Sequence, residues 1–247
     1  MELTLLNRQD RFPRAHLTDP PQRGYLHLAA VVEPPAGRTP FPRTSPAKAA
    51  LLERLKSLAG RVEDLDAVVR ATVYRAAVVP PAGGYARRED VHQARYDVVV
   101  LVETTSVDTI GEAQKSEAGE ALHAALAGAA SDLHVMPAHC VKCIADVDKT
   151  RPGLFLFNYS VAEDASVALE LWDWLAGWHS VQTGLDNSTV LQPIEPADYA
   201  FVNHARWDYG LPRFLLHQVT KPSFRSYVQA NLLANRTGSM PVMYRLA

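Results

Sequence analysis

Apolar residues along the chain occur in two arrangements: short uninterrupted runs of strand length, and longer segments in which they recur at helical spacing. The first run covers residues 25–32 and ends in a proline-rich stretch that neither a helix nor a central strand accepts. Ser45 and Pro46 are a typical helix start, because serine caps the helix and proline fits its first position. Leucines on one face follow, and Gly60 is predicted to end this helix.

Two strands, a helix and a further strand are predicted next. The strands cover residues 67–79 and 96–104, with a polar loop containing PPAGG between them. A helix near residues 111–130 carries alanine and leucine on one face, and a strand at residues 133–145 follows. The resulting order, β-α-β-β-α-β, is that of the ferredoxin-like fold.

The same order returns after a charged linker with proline and glycine at residues 146–153. A short strand, at residues 188–194, precedes the strand with the most polar and aromatic side chains, at residues 199–207. The other predicted elements are strands at 154–161 and 241–247, a helix with Val167, Leu171, Trp174 and Trp178 on one face, and a helix that begins near Leu211 and is interrupted near Pro222.

These patterns predict an α+β fold of tandem ferredoxin-like halves. The first half is expected at residues 25–147 and the second at residues 148–247, after a polar, proline-rich N-terminal tail at residues 1–24 that lies on the surface. Each half should form a four-stranded antiparallel sheet covered by two main helices. An approximate twofold axis within the chain should relate the two halves.

Composition and charge narrow the possible partners. Apolar residues make up 47% and charged residues 21% of the 247 residues, as in folded globular proteins. The net charge of -2, with scattered Lys and Arg, provides no basic surface for nucleic acid. No apolar run approaches the roughly 20 residues that span a bilayer, and charges interrupt the N-terminal stretch where a signal peptide would be apolar. We therefore expect a cytoplasmic protein without a nucleic-acid or membrane partner.

A C-x-x-C motif suggests redox or zinc chemistry, because Cys140 and Cys143 have His134 and His139 close by. However, residues 133–145 read as a strand, in which side chains three positions apart point to opposite faces. There is no second cysteine pair to complete four zinc ligands. Two buried structural thiols, without a metal and without a bond between them, are expected.

The second half resembles the dimeric α/β-barrel superfamily, and within it proteins of the antibiotic biosynthesis monooxygenase type. The resemblance is carried by the segments GLFLFNYSV, FVNHARWD, LLHQVTKPSFRSYV and MPVMYRLA. The first half, through ARYDVVVLVETTSVDTI, looks like the same fold with weaker motifs. The chain is thus similar to a tandem duplication of one such unit.

This resemblance implies a barrel made of two antiparallel sheets, usually from two chains, with a ligand cavity between each sheet and its own helices. Here the two halves could supply both sheets, so the chain is expected to be a monomer with an internal pseudo-dimer or a homodimer. Many members bind or oxidise aromatic, polyketide or quinol-like compounds without metal or flavin. Other relatives degrade haem or act as isomerases.

The strand at residues 199–207 supplies the main catalytic candidates. Its alternation places Tyr199, Phe201, Asn203 and Trp207 on one face. The resemblance implies that the Asn203 amide binds a substrate oxygen and that the Trp207 indole stacks on the ligand or donates its N–H. His217, on the following helix, matches a histidine frequent in the family and could accept a phenolic proton. Each of these side chains has packing as its alternative role.

Further ligand-binding candidates lie on the first strand and first helix of this half. Asn158 resembles a polar residue of the haem-degrading relatives, but the tryptophan of their second helix is missing here. Trp178 belongs to an aromatic-rich helix face for which packing against the sheet is the simpler role. The candidates for ligand binding are Asn158, Tyr159, Tyr199, Phe201 and Trp178.

The function expected from these observations is that of a monooxygenase, or a related cyclase or isomerase, that uses no cofactor or metal and acts on a small aromatic or quinone-like ligand. No phosphate-binding glycine loop or nucleophile elbow is present in the sequence, which argues against nucleotide-dependent chemistry. One alternative is a non-catalytic barrel that binds a small hydrophobic ligand or has a structural role. A second is a haem-binding or haem-degrading relative.

Overall fold

The computed structural model describes residues 1–36 and 39–247, and within them the chain forms nine strands and six α-helices. The first half contains β1 (Gly24–Val31), α1 (Pro46–Glu63), β2 (Val68–Val78), β3 (Gly83–Gly84), β4 (Val98–Thr104), α2 (Ile110–Lys115), α3 (Glu117–Ala127) and β5 (Asp132–Ala145). The second half contains β6 (Leu154–Ala162), α4 (Ala165–Thr183), β7 (Ser188–Pro193), β8 (Phe201–Trp207), α5 (Leu211–Val219), a π-helical segment (Phe224–Gln229), α6 (Ala230–Ala234) and β9 (Thr237–Leu246).

Eight strands close into a barrel in which neighbouring strands are antiparallel. Their order is β2-β4-β1-β5-β7-β8-β6-β9, and β9 pairs with β2 to complete the circle. Each half supplies four consecutive strands in the order of a ferredoxin-like sheet. The two joints, β5–β7 and β2–β9, each pair the last strand of one half with the second strand of the other. The predicted fold of tandem ferredoxin-like halves is confirmed, and one chain completes the barrel.

Strand alternation separates the barrel interior from the helix-facing side of the sheet. On β6, Phe155, Phe157 and Tyr159 belong to the core inside the barrel, whereas Leu156 and Asn158 face the helices. Because both faces are covered, the strands read as nearly continuous apolar runs. The interior is rich in buried tyrosines: Tyr25, Tyr74, Tyr96, Tyr159, Tyr199 and Tyr244.

The helical layers of the two halves differ in how they pack on the sheet. In the first half, α1 and α3 form a continuous aliphatic core with β1 and β4, which includes Leu28, Leu55, Val100 and Leu122. In the second half, α4 and the segments after β8 leave a cavity against the sheet. The two outer faces therefore share a topology but offer different spaces to a ligand.

Residues 1–18, which we call the N-terminal strap, lie across the helices of the second half. The buried amides of Asn231 and Asn235 each exchange hydrogen bonds with the strap backbone in both directions, as a strand partner would. Phe12 is fully buried beside Trp178, with the ring centroids 6.3 Å apart. The strap thus holds the helical layer of the second half from outside.

The linker at residues 146–153 folds over one end of the barrel. Lys149 is buried, and its Nζ lies 3.2 Å from Oε1 of Glu103, which is also buried. Nη1 of Arg23 lies 3.4 Å from the other oxygen of the same carboxylate. Since a buried carboxylate needs such partners, the linker contributes to the fold as well as joining the halves.

Two helix boundaries differ from the sequence prediction. Helix α1 continues past Gly60 to Glu63, because Val62 packs into the core and outweighs the cost of about 1 kcal/mol for glycine inside a helix. The single helix expected near residues 111–130 is divided into α2 and α3 at Ser116. The Ser116 hydroxyl accepts a hydrogen bond from the Gly119 N–H and starts a new helix there.

The expectation that Cys140 and Cys143 point to opposite faces is wrong. Strand β5 has register shifts against β7 between residues 140 and 142 and between residues 143 and 145. These irregularities break the simple alternation, so both thiols belong to the core inside the barrel. Alternation predicts side-chain direction only where the ladder is regular.

Candidate functional site

A partly open space of about 170 Å³ lies between the outer face of the second-half sheet and the helices that cover it. Its walls come from β6, β8 and β9 on one side, and from α4, α5 and the π-helical segment on the other. They are mainly apolar and include Leu156, Phe201, Met243, Leu171, Trp172 and Phe214. We call this space the second-half cavity.

The volume limits what this cavity can hold. An engineered apolar cavity of roughly 150 Å³ in another protein takes up benzene. The second-half cavity therefore has the size of a single aromatic ring with small substituents. Haem, with four pyrrole rings in one plane, does not fit it.

Asn158 and Asn203 place amides in this apolar wall. They lie directly opposite each other on β6 and β8, and both face the helices. The Ser239 hydroxyl donates to Oδ1 of Asn158 at 2.7 Å, and the Ser188 hydroxyl lies 2.5 Å from Oδ1 of Asn203. Among the described residues neither amide NH2 group has a hydrogen-bond acceptor, so both are available to a ligand oxygen.

His179, on α4, is the imidazole that lines the cavity. Among the described residues, its buried Nδ1 atom has no hydrogen-bond partner. Burial lowers the pKa of His179 to about 4, so its ring is neutral at pH 7. It shares the cavity face of α4 with Trp172 and Leu175, at spacings of three and four residues. This spacing could have identified His179 from the sequence. Trp174 and Trp178 on the same helix also follow helical spacing, so the cavity face was not distinguished from its neighbours.

Trp207 also lines the cavity, but its polar group is already occupied. The indole Nε1–H donates to Oγ1 of Thr183 at 3.2 Å, and the ring meets Phe214 edge-on with centroids 4.7 Å apart. Thr183 is the last residue of α4, so this hydrogen bond fixes the end of that helix to β8. The indole therefore provides a wall and an anchor rather than a free donor.

His217 does not line the second-half cavity. On α5 it is Phe214 and Leu215 that face the cavity. The ring of His217 instead lies 5.9 Å from that of Tyr209, and its Nε2 atom is 3.5 Å from Nε of Arg213 near the surface. The sequence predicts that His217 lies on the helix after β8, which is α5. The spacing of its residues does not show which face of this nine-residue helix meets the sheet.

The other sequence candidates divide between two faces. Phe201 lines the cavity beside Asn203, whereas Tyr159 and Tyr199 lie inside the barrel. Tyr159 alternates with Asn158, and Tyr199 precedes the first residue of β8, where strand alternation does not yet apply. Trp178 faces the N-terminal strap, and its Nε1–H donates to Ser223 at 3.1 Å.

The described residues contain neither a metal-binding cluster nor a membrane-spanning helix. No group of three or more His, Cys, Asp or Glu side chains in residues 1–36 and 39–247 is arranged to bind a metal ion. In the same part of the chain, no helix combines the length and apolar character that crossing a bilayer requires.

No protein-family model matches this sequence, and no curated protein sequence matches it. Solved structures are similar over almost the whole chain. An anthrone oxidase-like protein has a TM-score of 0.63 at 12% identity, with 92% of each chain covered. A proposed monooxygenase from Fusobacterium nucleatum subsp. nucleatum has a TM-score of 0.56 at 8% identity, with 91% of each chain covered.

A proposed chlorite dismutase has a TM-score of 0.50 at 12% identity, with 91% of this chain and 95% of the other covered. At such identities the likeness concerns the fold. It agrees with the closed antiparallel barrel and with the β-α-β-β-α-β order of each half. The chain therefore has the dimeric α/β-barrel fold, with both halves of the barrel carried by one polypeptide.

Proposed function

We propose that the protein is a cofactor-independent monooxygenase that acts on a small phenolic or quinol-like ring in the second-half cavity. The observation that carries this proposal is that the NH2 groups of Asn158 and Asn203 have no acceptor among the described residues and lie in an otherwise apolar space of single-ring size. The monooxygenase-like and anthrone oxidase-like names of proteins with the same fold are consistent with it.

In this proposal the apolar walls bind the ring and the amides bind its oxygen. The two N–H donors stabilise negative charge as the hydroxyl loses its proton, which makes the ring electron-rich. His179, neutral in the free protein, is the proton acceptor within the same cavity. The ring then supplies electrons to O2 and is oxidised to the quinone level: one oxygen atom enters the ring, and the other takes two hydrogens from the substrate and leaves as water.

The test combines ligand binding with oxygen consumption. Hydroquinone and methyl-substituted hydroquinones should raise the unfolding temperature of the wild type, and at least one should support oxygen uptake in buffer treated to remove metals. Asn203→Ala and Asn158→Ala should each lower uptake about 10- to 100-fold, because they remove donors to charge that develops during the reaction. Gln192→Ala, an amide in the same sheet outside the cavity lining, is the matched control.

Three outcomes distinguish the alternatives. Binding without oxygen uptake in any condition would favour a non-catalytic ligand-binding barrel. Stoichiometric haem uptake would show that the cavity opens far beyond its present volume, and would replace the proposal. Unchanged binding and uptake in both asparagine variants would move the site away from this cavity.

A further inference from the structure

The irregular stretch of β5 brings its two cysteines to one face. Cys140 lies opposite Leu191 of β7, and Cys143 lies opposite Thr189. Their partners are thus two residues apart, which is the spacing of side chains on the same side of a strand. Both thiols are buried in the core inside the barrel, with 6% of Cys140 and 2% of Cys143 exposed.

The same register sets the distance between the two cysteines. Two residues of an antiparallel strand span roughly 6.8 Å, and disulfides join Cα atoms up to about 6.8 Å apart. In the reduced protein the Cys140 thiol donates to the Lys142 carbonyl at 3.2 Å, and the two sulfur atoms lie on the same face of β5. A bond between them needs a small contraction of the strand but no rearrangement of the barrel.

The two thiols differ in reactivity. The neighbouring Cys140 thiol, helped by Thr18 and by the charge of Lys149, lowers the pKa of Cys143 to about 7 against the opposing effect of burial. The Cys143 thiol and burial raise the pKa of Cys140. Cys143 is therefore the thiolate-forming partner, and Cys140 is the thiol that remains protonated beside it.

Cys143 lies beside the N-terminal strap. Thr18 of the N-terminal strap donates its backbone N–H to the Cys143 carbonyl at 2.8 Å, and its hydroxyl contacts the same residue. Thr18 is itself exposed. Because Thr18 is exposed and pairs with Cys143, we expect a displacement of the strap at this point to give a peroxide its access to the sulfur.

We propose that Cys140 and Cys143 form an oxidisable dithiol that reacts with hydrogen peroxide or a small hydroperoxide to close a disulfide within β5. The Cys143 thiolate attacks the peroxide, whose O–O bond breaks, and a sulfenic acid forms as hydroxide leaves and takes up a proton. The Cys140 thiol then attacks this sulfur, the S–S bond forms, and water leaves. In total, two thiols and one hydrogen peroxide give one disulfide and two waters.

The experiment uses the full-length reduced protein, freed of reductant and treated with hydrogen peroxide. We expect the two free thiols to disappear together, with a mass decrease of two hydrogen atoms that is independent of protein concentration and reversed by dithiothreitol. Persistence of both thiols at millimolar peroxide, or disulfides only between chains, would overturn the proposal.

Single variants separate the two roles. Cys143→Ser should react at least about 10-fold more slowly than the wild type, because the remaining thiol is mostly protonated. Cys140→Ser should retain a reactive thiol but add oxygen atoms instead of losing hydrogen, since no resolving thiol is left. Equal reactivity of the two variants would contradict the assignment, and thermal unfolding of each verifies that it is folded.

Discussion

Trp207 and Asn203 face the same cavity, but only the N–H of Trp207 already has a hydrogen-bond acceptor among the described residues. The Trp207 N–H already donates to Thr183, whereas the Asn203 NH2 group has no acceptor among the described residues. A ligand can therefore gain a hydrogen bond from Asn203 without breaking one. Trp207 contributes mainly surface to the cavity wall.

Trp207→Phe is expected to reduce stability more than ligand binding. The phenyl ring keeps most of the wall, but the hydrogen bond to Thr183 is lost, which costs about 1 kcal/mol. Urea unfolding and ligand titration of the variant measure the two effects. A loss of ligand affinity as large as that of Asn203→Ala would show instead that the indole N–H turns to the ligand.

Buried neutral histidine makes the folded state sensitive to acid. The pKa of His179 is lowered by burial from 6.5 to about 4, so the unfolded chain takes up a proton at a higher pH than the folded chain. The contribution of neutral His179 to the free energy of unfolding is complete above pH 6.5 and is lost as the pH falls from 6.5 towards 4. This imidazole alone should lower the free energy of unfolding by about 2 kcal/mol between pH 7 and pH 5.

His179→Gln is expected to flatten the pH dependence by this amount, measured by urea unfolding at the two pH values. His27, whose pKa burial lowers to about 3, remains in the variant, so some acid sensitivity should persist. His123, on the exposed side of α3, is the control position. An equal pH dependence in His179→Gln and the wild type would show that the ring is not held neutral.

Secondary-structure elements were predictable where one periodicity holds over many residues. The order of strands and helices, the start of α1 at Pro46 and the break after α5 near Pro222 all follow from residue type and spacing. The bulges of β5 and the continuation of α1 past Gly60 depend on partners distant in sequence. No local pattern carries that information.

The same limit applies to the candidate site. Asn158, Phe201, Asn203 and Trp207 come together because each lies on a regular strand whose face can be inferred from alternation. The helix residues were less predictable, because α4 has large apolar side chains on several faces and is buried on most of them. In such a helix the face towards the strap and the face towards the cavity look alike in sequence, and His179 lies on the second of them.

Asn231→Ala is expected to loosen the N-terminal strap. The fully buried amide accepts from the Leu6 N–H and donates to the Leu6 carbonyl, and both contacts are lost in the variant. We expect a loss of about 2 kcal/mol in stability and faster proteolysis within residues 1–18. Gln229→Ala, on an exposed side chain nearby, is the control. Unchanged proteolysis would mean that other contacts hold the strap.

At the scale of the whole molecule, the two joints of the barrel are equivalent in topology. Strand β9 pairs with β2 as β5 pairs with β7, so each half carries one edge of each kind. Residues 148–247 expressed alone should therefore form a homodimer, in which β9 of each copy meets β7 of the other. Light scattering after size-exclusion chromatography measures this, and a stable monomer would contradict the equivalence of the joints.

This closure has a consequence for synthesis on the ribosome. When the first half emerges, the outer edges of β2 and β5 have no partners, because β2 pairs on that side with β9 and β5 with β7 of the second half. At roughly 5–20 residues per second, residues 148–247 take roughly 5–20 s to synthesise. For that time the nascent chain exposes two apolar strand edges, which are templates for pairing with other chains. The N-terminal strap is made before both halves but is held back until α4 and α6 exist, so it is among the last segments to reach its final place.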